Sequence, residues 1–92
     1  MKIVWSLPAE ADLAEIWRFI AEDSPAAATD VENRIVEAVE TLADFPAKGR
    51  VGKRDGTREL VVHRTSCLIV YRIEAEAIGI VRVWHTSREP FA

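Results

Sequence analysis

Residues 8–46, PAEADLAEIWRFIAEDSPAAATDVENRIVEAVETLADFP, carry two apolar stripes at helical spacing with a start signal before each. Leu13, Ile16, Trp17 and Ile20 fall at i, i+3, i+4 and i+7 and predict one helix over roughly 8–22. Glu10, Asp12, Glu15 and Arg18 occupy its other side. Ala28, Val31, Ile35, Ala38, Val39 and Leu42 make a second stripe and predict a helix over roughly 25–43. Ser6 with Pro8, and Ser24 with Pro25, are N-terminal signals: a serine hydroxyl can cap the first free amides, and proline is tolerated in the first turn. Phe45-Pro46 ends the second helix. So few residues separate the two that they must form an antiparallel hairpin, whose apolar faces need something else to cover.

The cover lies on either side in sequence. Lys2 to Trp5 reads as a short strand. After the hairpin, residues 46–58 (PAKGRVGKRDGTR) read as a loop punctuated by Gly49, Gly52 and Gly56, with Lys53 and Arg54 in a solvated turn. No phosphate-binding glycine pattern is present in it. Three strands follow: Leu60–His63, Cys67–Ile73 and Ile78–His85, the last two joined by a tight connection over 74–77. Strand, two helices and three strands predict an α+β domain, β-α-α-β-β-β, with a helical hairpin packed on one face of a mainly antiparallel sheet. All 92 residues, 1–92, belong to one domain.

Composition narrows the function. Apolar residues are 49% and charged residues 29% of the chain, as in a globular domain, and no apolar run reaches the length of a membrane helix. The N-terminus turns polar too early for a signal peptide. One cysteine, Cys67, precludes an internal disulfide, suits a reducing cytoplasm and reads as a buried thiol. Two histidines and one cysteine form no metal-ligand spacing, and no metal or cofactor is expected. The net charge of −3 is unevenly spread: residues 1–46 hold three basic and ten acidic side chains, a balance of −7, and residues 47–92 hold nine and five, a balance of +4. The basic half is therefore where an anionic partner is expected.

Strand alternation places Cys67, Ile69, Tyr71 and Ile73 on one face of the second C-terminal strand and Leu68, Val70 and Arg72 on the other. In the last strand it groups Val81, Val83 and His85 against Ile80, Arg82, Trp84 and Thr86. Arginines resist unpaired burial, so the face with Leu68, Arg72, Arg82, Trp84 and Thr86 is expected to be open. Arg72 and Arg82 read there as an anion-binding pair, with surface solvation as the alternative. Trp84 among arginines is suited to anchoring a partner. The chain's close, Val81 to Phe91 (VRVWHTSREPF), adds a titratable His85 and a cation, Arg88, at the strand end. His85 reads first as a satisfied strand-end histidine. Trp5, Trp17 and Tyr71 read as core, and Arg58 with Glu59 as a local pair.

These residues together resemble the RelE/ParE superfamily of type II toxin–antitoxin toxins. The resemblance spans nearly the whole chain. It is carried by Val4 to Ile16 (VWSLPAEADLAEI), Leu42-Ala43-Asp44-Phe45-Pro46 with Gly49-Arg50, Arg58-Glu59-Leu60-Val61-Val62, Ile69-Val70-Tyr71-Arg72, and Val81-Arg82-Val83-Trp84-His85 with Arg88. It implies one of two activities. RelE-like members are ribosome-dependent mRNA endonucleases, which need cations on the developing phosphorane charge; the family supplies arginines at positions that are Leu68 and Thr86 here. ParE-like members poison DNA gyrase by trapping its cleaved DNA complex and need no catalytic residue. An apolar residue at position 68 places this chain with the ParE-like branch. The expectation is a cytoplasmic gyrase inhibitor, not an enzyme, of the kind associated with plasmid stabilization. A ParD-type antitoxin would neutralise it through Arg58, Arg72, Arg82, Trp84 and Arg88. The alternatives are a nuclease acting on ribosome-bound mRNA through His85, Arg82 and Arg88, and an inert member that only binds antitoxin.

Overall fold

The computed structural model describes residues 1–86. Its elements are β1 (Lys2–Trp5), α1 (Leu7–Ala21), α2 (Pro25–Asp44), a 3-10 turn at Pro46–Lys48, β2 (Arg50–Val51), β3 (Arg58–Val61), β4 (Cys67–Ile73) and β5 (Ala77–His85). Both serine caps form: Ser6 Oγ accepts from Ala9 N–H and Ser24 Oγ from Ala27 N–H, each at 3.1 Å. No helix among the described residues is long and apolar enough to cross a membrane.

One five-stranded sheet has the order β1-β5-β4-β3-β2. β1 runs parallel to β5, and the remaining pairs are antiparallel. The helical hairpin covers one face. Ala9 and Ile16 of α1 and Ile35, Val39 and Leu42 of α2 meet Leu60, Cys67, Ile69, Tyr71, Ile78, Ile80 and Val83 of the sheet and Val62 just past β3, all buried. Burying side chains of this size stabilises by about 1.5–3 kcal/mol each, which makes this cluster the main source of the fold's stability. Tyr71 is wholly buried, yet its hydroxyl is satisfied: it donates to Pro46 O at 2.6 Å and accepts from Gly49 N–H at 2.9 Å. Gly49 must be glycine for this, because a Cβ there would stand 2.7 Å from that hydroxyl oxygen.

The structure corrects four expectations. Residues 46–58 contain β2, whose two residues are too few to show any alternation, and β3 begins at Arg58 rather than Leu60. Trp17 is half-buried and stands outside the core cluster, while Trp5 packs against it. Arg58 does not pair with Glu59, since neighbours on a strand point to opposite faces. Arg58 instead donates to Gly49 O at 2.7 Å, and Glu59 accepts from Arg50 at 3.1 Å.

The fourth correction concerns strand phase. Tyr71 lies opposite Ile80 and Val70 opposite Arg82, which leaves Val81 as an extra residue in β5. This bulge resets the alternation, so Ile78 and Ile80 before it and Val83 after it all face the helices. Ile80 is therefore core rather than open face. Ser6 holds the bulge: its N–H donates to Ile80 O at 3.0 Å and its Oγ to Val81 O at 2.9 Å. One side chain thus caps α1 and satisfies the carbonyl that the bulge removes from the ladder.

Candidate functional site

The sheet face away from the helices holds the candidate residues. By register, Arg50, Glu59, Val70 and Arg82 make one row across it, and Val61, Leu68 and Trp84 the next. It is less open than alternation implies: Leu68 is 4% and Val70 9% exposed, each with a longer cross-strand neighbour, Trp84 or Arg82.

Arg82 is held by the fold. Its Nε and Nη2 donate to the Asp12 carboxylate at 2.7 and 2.8 Å, and the same carboxylate accepts Val83 N–H at 2.9 Å. β1 covers β5 only from Ala77 to Ile80. Beyond that point β5 is a free edge whose amides need a partner, and α1, arriving directly from β1, supplies Asp12. A two-pronged guanidinium–carboxylate contact is among the stronger charged hydrogen bonds. Here it is partly screened, with the Arg82 side chain 37% and the Asp12 side chain 14% exposed. The guanidinium carbon also sits 4.5 Å from the centroid of the Trp84 ring. Asp12 was expected on the solvent side of its helix. No local pattern reveals its role, because its partners lie some 70 residues away.

The other candidates are spread apart. The hairpin register places Gly79 opposite Arg72 and Val70 opposite Arg82, so these two arginines do not form a cross-strand pair. Arg72 is exposed and leans towards the β2–β3 hairpin. Arg58 is a strut between β3 and the loop after α2. His85 packs edge-on against Phe19 of α1, with ring centroids 5.6 Å apart. Arg88 lies outside the described residues. Thr86 donates its N–H and its hydroxyl to Ser66 O at 2.7 and 2.9 Å, which ties the end of β5 to the β3–β4 turn. Cys67 is buried, its N–H donates to Thr65 Oγ1 at 3.0 Å, and burial raises its thiol above the usual range despite the opposing influence of the Thr65 side chain; a thiol so placed is a poor nucleophile.

Of the arginines on or beside this face, Arg50, Arg58 and Arg82 are therefore engaged with acceptors of the fold, and Leu68 on the same face is buried. The described residues that line an open cleft with a base, an acid and cations are Arg34, Glu37, Lys48 and His63, between α2 and the end of β3, and none of the candidates above is among them.

Comparison with known proteins agrees with the architecture. Residues 3–90 match the family model described as the ParE toxin of the type II toxin–antitoxin system parDE. The chain is 41% identical over 88 residues to "Putative toxin Y4kP" of Sinorhizobium fredii, covering 96% of this chain and 91% of that protein. It is 36% identical over 87 residues to "Toxin RelE2" of Caulobacter vibrioides, covering 95% and 97%. Among solved structures, a chain of the chromosomal ParDE toxin–antitoxin system from P. aeruginosa superposes with a TM-score of 0.82 at 27% identity, over 92% of this chain and 95% of that one. A chain of the toxin–antitoxin complex RelBE2 from Mycobacterium tuberculosis shares the fold with a TM-score of 0.62 at 24% identity, over 91% and 95%. A match along almost the entire length, on the same arrangement of helical hairpin and mixed sheet, places the chain in the ParE toxin family of type II toxin–antitoxin systems, within the ParE/RelE superfamily.

Proposed function

We propose that this toxin acts as ParE-like toxins do, by binding DNA gyrase and trapping its cleaved DNA complex, and that a ParD-type antitoxin neutralises it in the cytoplasm. The observation that carries the reading is the fate of the cations. Cleavage by 2′-hydroxyl attack needs positive charge on the phosphorane. Here Leu68 is buried where that charge would stand, Thr86 is tied to Ser66, and Arg82 is bridged by Asp12. A protein that works by occupying a surface of its target needs none of these cations free. The higher TM-score to the ParDE chain supports the same branch. Plasmid stabilization is the role such a toxin would serve.

Antitoxin binding is proposed for the outer sheet face, where Trp84 with Arg82 stacked on it and the exposed Arg72 offer an aromatic anchor and positive charge to an acidic, apolar segment. Arg88 belongs to the same proposal. Arg58 contributes through the hairpin it props.

The name of the Caulobacter relative favours the second reading, a RelE-like endonuclease working on ribosome-bound mRNA. Induction of the chain alone in cells separates the two. Double-strand DNA breaks and an SOS response with translation still running are expected. Immediate translation arrest with messages cut at ribosomal A sites, abolished by His85→Ala, would replace the proposal with the nuclease; growth without toxicity would leave an inert antitoxin-binding protein.

A further inference from the structure

The cleft between α2 and the outer side of β3 encloses about 310 Å³. Arg34, Glu37, Ala38 and Thr41 line it from α2, at i, i+3, i+4 and i+7, and so share one helix face. Lys48 stands at one end. Its Nζ donates to Thr41 Oγ1 at 3.3 Å, and that hydroxyl donates in turn to Ala38 O at 2.6 Å. Residues 60–63 form the opposite wall. Beyond Glu59, β3 has no strand on this side, because β2 pairs only with Arg58 and Glu59. Val62 N–H donates to Cys67 O on the β4 side at 3.0 Å. By alternation the amide and carbonyl of Val61 turn the other way, to the edge that borders the cleft.

The order of groups along the cleft follows from the chain. Gly49, next to Lys48, lies so close to β3 that a Cβ on it would stand 2.8 Å from Glu59 O. Leu60 is therefore at the Lys48 end and His63 at the far end. Arg34 lies two helical turns before Thr41, about 10 Å away, and shares the far end. Glu37 falls between. Neither Glu37 nor His63 has a hydrogen bond or ion pair among the described residues. The Lys48 ammonium has three donors and gives one to Thr41. Arg34 binds Asp30 through Nε at 3.0 Å, in the plane of the guanidinium, which leaves its flat face open.

This sequence of groups selects a ligand. A bare anion would leave Glu37 and the apolar floor of Leu60 and Val62 unused. An acidic peptide would set its own carboxylates against Glu37. A phosphate joined to a flat ring that carries hydrogen-bond donors suits every group. An ionised carboxylate only accepts, through two oxygens; guanine is the nucleobase whose pairing edge offers two neighbouring donors, a ring N–H and an amine. Bases stack on guanidinium and imidazole planes. The volume is at the small end of ligand pockets, about 300–1,000 Å³, which admits one nucleotide. We infer that this cleft binds a guanine mononucleotide. Lys48 and the Val61 amide hold its phosphate, Glu37 takes the donor edge, and Arg34 and His63 stack on the ring. The inference holds whichever enzyme the toxin targets.

The test is a titration of the purified, 15N-labelled chain with GMP, AMP and inorganic phosphate, followed by NMR. GMP should saturate with a dissociation constant below about 1 mM and shift amides of residues 34–41 and 60–63. AMP and phosphate should bind at least about tenfold more weakly, as befits lost hydrogen bonds to a charged group. Glu37→Gln should abolish the preference for GMP over AMP and leave AMP binding as it is. Lys48→Gln should weaken both nucleotides by about tenfold. Both side chains are exposed, so the unfolding midpoint should not move. No saturation by GMP, shifts confined to other parts of the molecule, or phosphate binding as tightly as GMP would overturn the inference. A preference for GMP that survives Glu37→Gln would overturn it as well.

Discussion

Two ends of the sheet use arginine in opposite ways. At the β1–α1–β5 seam, Arg82 is fixed by Asp12, and the same carboxylate closes the free edge of β5. At the β2–β3 hairpin, Arg54 stands on a hydrogen-bonded turn and Arg72 of β4 leans towards it, with no ion pair to either among the described residues. The seam joins residues 70 to 75 positions apart, whereas the hairpin's bonds span eleven residues or fewer. Where charge closes long-range contacts it serves the fold; where a local turn merely displays it, it is available to a partner.

The largest effect should come from breaking the seam. Asp12→Ala strands a partly buried guanidinium and the Val83 amide, and should lower stability by about 2–3 kcal/mol, read from thermal or urea unfolding. If the loss stays within about 0.5 kcal/mol, as for an ordinary surface site, the seam is not the structural joint described. Arg82→Glu would likewise report on folding before it reported on binding. Tyr71→Phe comes next: it leaves Pro46 O and Gly49 N–H without their buried partner and should cost about 1–2 kcal/mol in the same experiment. Ser6→Ala removes the α1 cap and the hydroxyl on the bulge together, at a cost of about 1 kcal/mol or somewhat more. A wild-type unfolding curve for that variant would mean that the bulge holds itself.

Arg72→Gln and Arg54→Gln sharpen the contrast from the other side, since stability should change by less than about 0.5 kcal/mol. The smallest effect concerns Cys67. Its thiol is raised in the folded chain by burial, so the fold favours the protonated form. Stability from this group is full below the thiol's unfolded value of about 8.5 and declines as pH rises through it towards the folded value. Labelling by a thiol reagent near neutral pH should proceed at the rate of unfolding; labelling at the rate of a free thiol would show the site to be open.

The helical hairpin, the central strands and the family were legible because each is written in local pattern. Two serine–proline starts and two apolar stripes define the helices, and Cys67–Ile73 was bounded as it stands in the sheet. The candidate site was less legible, for physical reasons. A single extra residue at Val81 inverts strand phase and leaves no mark in composition, so alternation alone puts Ile80 on the wrong face. Asp12 and Glu59 act across the chain or across strands, where spacing says nothing of partners. Trp17 sits on the apolar stripe of α1 but outside the cluster, because a stripe defines a face and not its depth.

The proposed reading is that this toxin works by occupying its target, with Arg82 of the last strand engaged in the fold. The most direct test incubates the purified chain with gyrase, supercoiled plasmid and ATP, beside a ribosome-programmed translation extract. Linear plasmid should accumulate only when gyrase is present, be suppressed by a ParD-type antitoxin, and be accompanied by intact message. Untouched plasmid with message cut on the ribosome would contradict it, and would mean that the chain builds a phosphorane-stabilising site without a cation at Leu68.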